Sequence, residues 1–290
     1  MKADVWRQLD FFDPSKAHPK PLIIGCGHIG SYLAFGLARM GVKEITICDH
    51  DLVEAHNLPN QFFAESLMAE LVQDKPSLLK VVALQETIKY LVPTAKINIV
   101  PSRIEAANIK VQYYDVVFVC VDDMNVRKWI FDEAKEGTKL IIDARTGGAF
   151  ANVFSCRLTK SEEFNYYAKN LWSNKDAAPL PCTGTAVIDV SFGVVSDCIH
   201  KYREYVQNKS VRIIHSFHDY IVGTVSIMKM INVEKPEAER IIIPKEIAKQ
   251  PIQAVREADD GDGMPTFADN LERQDGEDNP FEIGEDNDER

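Results

Sequence analysis

No apolar run in the 290 residues approaches the roughly 20 that a membrane span needs, and the N-terminus (MKADVWRQLDFFDP) lacks the charged-then-apolar layout of a signal peptide. A soluble, cytoplasmic protein with no membrane partner is expected. Six cysteines are present but none forms a C-x-x-C pair, so no structural zinc site of the usual spacing is offered. Cys26, Cys48, Cys120 and Cys156 lie in or beside apolar stretches, where a thiol usually fills space. Cys182 is the cysteine in a Pro/Gly-rich loop. An excess of positive charge is also lacking. The net charge is −11, but Glu257 to Arg290 holds 14 acidic and 2 basic residues, leaving the body near +1. A near-neutral body argues against general nucleic-acid binding, which needs a concentrated basic face. The acidic tail, poor in large apolar residues, reads as disordered.

The chain contains 45% apolar residues, enough for a normal core. Strand and helix signals alternate. The apolar strand Leu22–Ile24 leads into Gly25-Cys26-Gly27-His28-Ile29-Gly30, then a helix that stops at Met40-Gly41 and a strand Ile45–Cys48. After a polar, then weakly helical stretch to Asp74 come a helix from about Ser77 to Leu91, a strand Ile97–Val100, and the buried-type run Asp115–Val121. A helix at about Asn125–Lys135 and a strand Leu140–Asp143 complete this half. The alternation predicts an α/β fold, a doubly wound, mainly parallel, Rossmann-like sheet. Then Phe150–Leu158 reads as a strand without a following helix in phase, antiparallel or in a second sheet, 161–171 as a helix, and 171–185 as a loop. A long amphipathic helix from Val187 to Tyr202 and a hairpin turned near His218-Asp219 follow, a C-terminal antiparallel extension. The expected division is an arm at 1–20, a nucleotide-binding half at 21–145, a carrier-binding and dimer-completing half at 146–240, and the acidic tail at 241–290.

The glycine turn by itself says only that phosphate oxygens dock on backbone N–H groups at a helix N-terminus. Asp49, at the end of the second strand, can accept ribose hydroxyls. Beyond it stand Asp51, Asn57 and Gln61, more polar groups than an oxidoreductase needs. Lys80 and Arg127 can neutralise a triphosphate. Asp122, at the carboxyl end of the central strand, can hold Mg²⁺ or cap the next helix. Together they suit attack on an α-phosphate. A nicotinamide- or flavin-dependent oxidoreductase is the alternative from another class, and a non-catalytic nucleotide or partner binder a third.

On these residues the region from Arg7 to about Tyr205 resembles the ThiF/MoeB/HesA family, bacterial relatives of ubiquitin-activating enzymes, in a branch without zinc cysteines. The family's glycine turn followed by Ser is matched at Gly25–Ser31, its D-x-D-x-V-x-x-x-N-L-x-R-Q at Asp49–Gln61, its lysine at Lys80, and its C-T-D-N with a following Arg at Cys120–Asp123 and Arg127. Asn60 replaces the family's Arg, and Asp123 its Asn. Asp143-Ala144-Arg145 matches a D-x-R found in some branches. The resemblance implies ATP on Gly25, Gly27, Gly30, Ser31, Asp49, Asp51, Asn57, Gln61, Lys80 and Arg127, with Mg²⁺ on Asp122 and no zinc. It also implies a homodimer in which Arg7 reaches the neighbouring subunit's ATP site. The implied reaction adenylates the C-terminal glycine carboxylate of a small ubiquitin-like or sulfur-carrier protein. Leu180-Pro181-Cys182-Thr183 resembles the context of a thioester cysteine, and an exposed loop thiol near a helix N-terminus suits that role.

Overall fold

A computed structural model describes residues 6–16, 20–71, 77–107, 109–171 and 188–231. The chain divides into two units, Met1–Glu234 and Lys235–Arg290, and the second lies wholly outside the described residues, as does Cys182.

The first unit is organised on one eight-stranded sheet of order β3-β2-β1-β4-β5-β6-β7-β8. β1 (Pro21–Ile24), β2 (Glu44–Cys48), β3 (Lys96–Val100), β4 (Val116–Val119) and β5 (Leu140–Gly147) run parallel, and β6 (Phe150–Arg157), β7 (Ile213–Asp219) and β8 (Thr224–Met230) are antiparallel. The mainly parallel sheet with an antiparallel C-terminal extension is thus as expected. β6 joins the same sheet, and β5 crosses residue 145 without a break. β1 and β4 are buried at every position, which is why both read as continuous apolar runs.

Helices cover both faces. α1 (Gly30–Arg39) presents Leu33, Ala34, Leu37 and Ala38 to the sheet and stops at Gly41, whose φ of +92° suits glycine. α2 is Glu65–Leu71. α3 (Lys80–Leu91) buries Val81, Leu84 and Ile88 beside α1. On the other face lie α4 (Met124–Ala134) and α5 (Ser161–Lys169), packed round Phe131, Phe154 and Tyr167. The 21-residue α6 (Ile188–Asn208) lies against α1 and β6.

Two boundaries differ from the sequence reading. α3 begins at Lys80, not Ser77, because Leu79 is held extended in a bridge with Leu52, and Val53 N–H donates to Leu78 O at 2.7 Å. The hairpin turns at Tyr220–Gly223, past His218-Asp219. The Asp219 carboxylate accepts the N–H groups of Ile221 and Val222 at 2.9 and 3.3 Å, and Gly223 takes φ +68°. Among the described residues no helix is long and apolar enough to cross a membrane.

Candidate functional site

The carboxyl ends of β1, β2 and β4 meet where the strand order reverses, the place where open α/β sheets bind ligands. The glycine turn closes that end of the sheet. At Gly25, φ is +95° and a Cβ would lie 2.5 Å from Cys120 O, so the backbone just after β4 requires the bare residue. At Gly30 a Cβ would lie 1.8 Å from Gly25 O, so the turn packs on its own helix. Gly27 is different, for a Cβ there meets nothing within 4 Å. Its missing side chain serves no internal contact and leaves room for an incoming group.

Asp49 locks the turn, its carboxylate accepting the N–H groups of Cys26 at 2.6 Å and Asp51 at 2.8 Å. Ser31 is buried, and its hydroxyl accepts Phe62 N–H at 2.9 Å, fastening the segment after β2 onto α1. In that segment Asn57 is buried and its side-chain oxygen accepts Glu54 N–H at 3.0 Å in a capping box. Gln61 Oε1 is buried without a hydrogen-bond partner, an acceptor whose desolvation this structure does not offset. Lys80, only 9% exposed at the start of α3, donates to Asp51 Oδ2 at 2.9 Å. Burial works to raise Asp51's pKa, but the hydrogen bond and charge of Lys80 hold it below the ordinary value.

At the end of β4, Asp122 is exposed and has no hydrogen-bond or ion-pair partner among the described residues. The helix cap belongs to the next residue. Asp123 Oδ1 accepts Asn125 N–H at 2.7 Å and Val126 N–H at 3.4 Å, so Asp122 is released from capping. Asn and Asp are comparable caps, so Asp123 fills the role an Asn would have, and its charge faces the N-terminus of α4. Arg127 requires a correction. Its side chain is 5% exposed and its terminal nitrogens point inward, to Asp143 and to the carbonyls of Val121 and Ala144. Burial and the nearby Arg145 pull its pKa down to about 10, and it is not presented to a triphosphate.

Arg7 is not brought to this site within one chain. It is exposed in the turn Trp6–Gln8, and neighbouring Gln8 donates to Met40 O at 2.6 Å, at the far end of α1 from the glycines. The described cysteines are poor nucleophiles: burial pushes Cys48 and Cys120 up to about 12 and raises Cys26, Cys156 and Cys198 as well.

His28 is a residue of the candidate site that sequence reasoning did not single out. Its Nε2 hydrogen-bonds Thr146 Oγ1 at 2.8 Å, tying the glycine turn to the end of β5, and burial lowers its pKa. It fills a variable position of the turn, where residue type carries no signal. Asp49, His50 and Asp51 offer ligand atoms within 4.8 Å of one another, but both carboxylates are already committed, to the turn and to Lys80. A cleft of about 390 Å³ beside Arg157, Lys160 and Ile231 lies at the opposite end of the sheet. The bare Gly27 and the free Asp122 carboxylate therefore fit the phosphates and divalent cation of a bound nucleoside triphosphate, and the orphaned Gln61 acceptor fits a hydroxyl or N–H of the same ligand.

Residues 15–237 match the ThiF family. The chain belongs to the ThiF family. Among curated proteins it is 29% identical over 123 residues to "Adenylyltransferase and sulfurtransferase MOCS3" of Danio rerio, which covers 42% of this chain and 26% of that protein. It is 31% identical over 140 residues to "ATP-dependent ubiquitin transferase-like protein Cap2" of Enterobacter hormaechei, covering 46% of this chain and 22% of that one. The matches thus span about a quarter of these relatives' length. A crystal structure of E. coli MccB with ATP has the same fold, with a TM-score of 0.57 at 17% identity over 77% of this chain and 68% of that one. The ThiF match ends at residue 237, so it takes in the whole eight-stranded sheet and leaves out the acidic tail.

Proposed function

We propose that the chain is an ATP-dependent adenylyltransferase that activates the C-terminal glycine carboxylate of a small ubiquitin-like or sulfur-carrier protein. The observation that carries the reading is the pairing of a glycine turn left bare at Gly27 with an exposed, uncommitted carboxylate at Asp122, across adjacent strands β1 and β4. The names of the curated relatives support it.

In the reaction a carboxylate oxygen of the carrier attacks the α-phosphorus of ATP. The bond from that phosphorus to the bridging oxygen breaks, pyrophosphate leaves, and an acyl-adenylate remains. The turn's N–H groups, at the N-terminus of α1, take phosphate oxygens. Gln61 and Asn57 line the polar segment beside them. Lys80 supplies a positive charge, balanced in this structure by Asp51 and available to charge building on the phosphates. Asp49, by fixing the Cys26 N–H, sets the turn's shape and faces the ribose. Asp122 would hold Mg²⁺, which when bound neutralises phosphate charge. Arg127 acts from beneath the strand end and makes no phosphate contact.

The proposal includes a homodimer: Arg7 stands beside Gln8 at the far end of α1 from its own chain's glycine turn, so a role for it at an ATP site calls for a neighbouring copy. Transfer of the acyl group to Cys182 as a thioester is a further part of it. The test is exchange of labelled pyrophosphate into ATP with a cognate carrier ending in glycine. Exchange that requires the carrier supports the reading; a carrier that binds while exchange stays at background overturns it.

A further inference from the structure

We propose that Asp143 is a positioning residue for Asp122, acting through Arg127 on the peptide bond that precedes it. The proposal rests on the reading of Asp122 as the carboxylate that holds the cation.

Asp143 is fully buried on β5 and is the shared acceptor for donors from three elements. Arg127 Nη1 reaches it from α4, Arg145 Nε from its own strand at 2.8 Å, with Arg145 Nη2 in ion-pair contact at 2.7 Å, and the Tyr167 hydroxyl from α5 at 2.9 Å. Arg127 then passes this anchorage to β4. Its Nη2 donates to Val121 O and, at 3.2 Å, to Ala144 O, and its Nη1 lies 3.5 Å from Val119 O. Val121 O belongs to the peptide group whose nitrogen is that of Asp122, so Arg127 fixes the plane of that peptide. On the other side, Asp123 is fixed by its capping bonds to α4. Asp122 is clamped before and after, while its own side chain is left exposed.

Stability alone does not account for this arrangement. Two guanidinium groups share one carboxylate in the interior, and a buried ion pair is often no more stabilising than apolar residues of the same volume. What the pair gives that apolar packing cannot is a directed hold on one carbonyl. Partners that orient a metal-binding group commonly change metal affinity by about 10–100-fold when removed.

The experiment uses the full chain in excess over ATP, so that the nucleotide is protein-bound and none is free to chelate metal, with Mn²⁺ in place of Mg²⁺, following free Mn²⁺ by electron paramagnetic resonance and measuring metal-free ATP affinity separately by calorimetry. Asp143→Asn should raise half-saturating Mn²⁺ at least about tenfold and leave metal-free ATP affinity within about twofold. Asp122→Ala should raise it similarly, and the double variant should add little to either. If Asp122→Ala shifts Mn²⁺ binding and Asp143→Asn does not, or if the two effects add in full, the positioning role is overturned and the reading of Asp122 stands. If Asp122→Ala has no effect, that reading falls and takes this proposal with it. Should Asp143→Asn not fold, Tyr167→Phe removes one bond to the same carboxylate and should raise half-saturating Mn²⁺ about threefold. An unchanged value in that variant overturns the proposal.

Discussion

Gly27 and Gly30 occupy the same six-residue turn for different physical reasons, and single substitutions separate them. Gly30→Ala forces a Cβ to within 1.8 Å of a backbone oxygen and should lower stability by about 2 kcal/mol or more, read as a fall in denaturation midpoint. Gly27→Ala meets nothing in the folded chain and should leave that midpoint nearly unchanged, yet weaken ATP binding about tenfold by calorimetry. Asp122→Ala should abolish pyrophosphate exchange. Cys182→Ala should leave exchange intact and remove any reducible carrier adduct seen on non-reducing gels.

At the scale of elements, the candidate site residues are placed by contacts distant in sequence. Lys80 stands beside Asp51 because the Leu52–Leu79 bridge ends the extended segment one residue before it, so helix periodicity over Ser77–Leu91 could not locate the start. Asp123 and Asp122 are equivalent by sequence, both acidic and both just after β4. Only the direction in which the chain enters α4 makes one a cap and the other free. Asp123→Ala should therefore cost about 1 kcal/mol in chemical denaturation, and Asp123→Asn close to nothing. Arg127 likewise looks like a phosphate ligand until β5 brings Asp143 under it.

At the scale of the whole molecule, the antiparallel extension is held to α6 by a buried polar cluster. Lys201 Nζ donates to Asp197 at 2.6 Å and to Ser216 at 3.1 Å, and His218 Nε2 meets Asp197 at 3.0 Å. Burial works to raise the Asp197 pKa, but the hydrogen bonds from His218, Lys201 and Ser216 and the charge of Lys201 outweigh it and hold it at about 2. His215, buried and facing the charges of Arg145 and Lys201, is lowered to about 4. Both groups bind protons more weakly folded than unfolded, so both contribute stability at neutral pH that acid removes. Denaturation midpoints should fall first as pH drops from about 6.5 towards 4 through His215, then again below about 4 through Asp197. His215→Phe should flatten the first decline. Asp197→Ala should cost about 3 kcal/mol or more at pH 7, because it strands buried Lys201. A homodimer should sediment at about twice 32.7 kDa.

The sequence by itself determined the parallel half of the sheet, since strands buried on both faces must be continuously apolar and helices between them must be amphipathic. It also located the glycine turn that closes the carboxyl end of the sheet, because a turn as tight as Gly25–Gly30 admits few other residues. Tertiary structure decided how each polar side chain is used. A carboxylate or guanidinium in this sequence can cap, pair, position or bind, and the choice depends on which oxygen or nitrogen the fold brings within about 3 Å of it. Asp49 closes the turn, Asp123 caps, Asp143 holds Arg127, and Asp122 is left open to solvent.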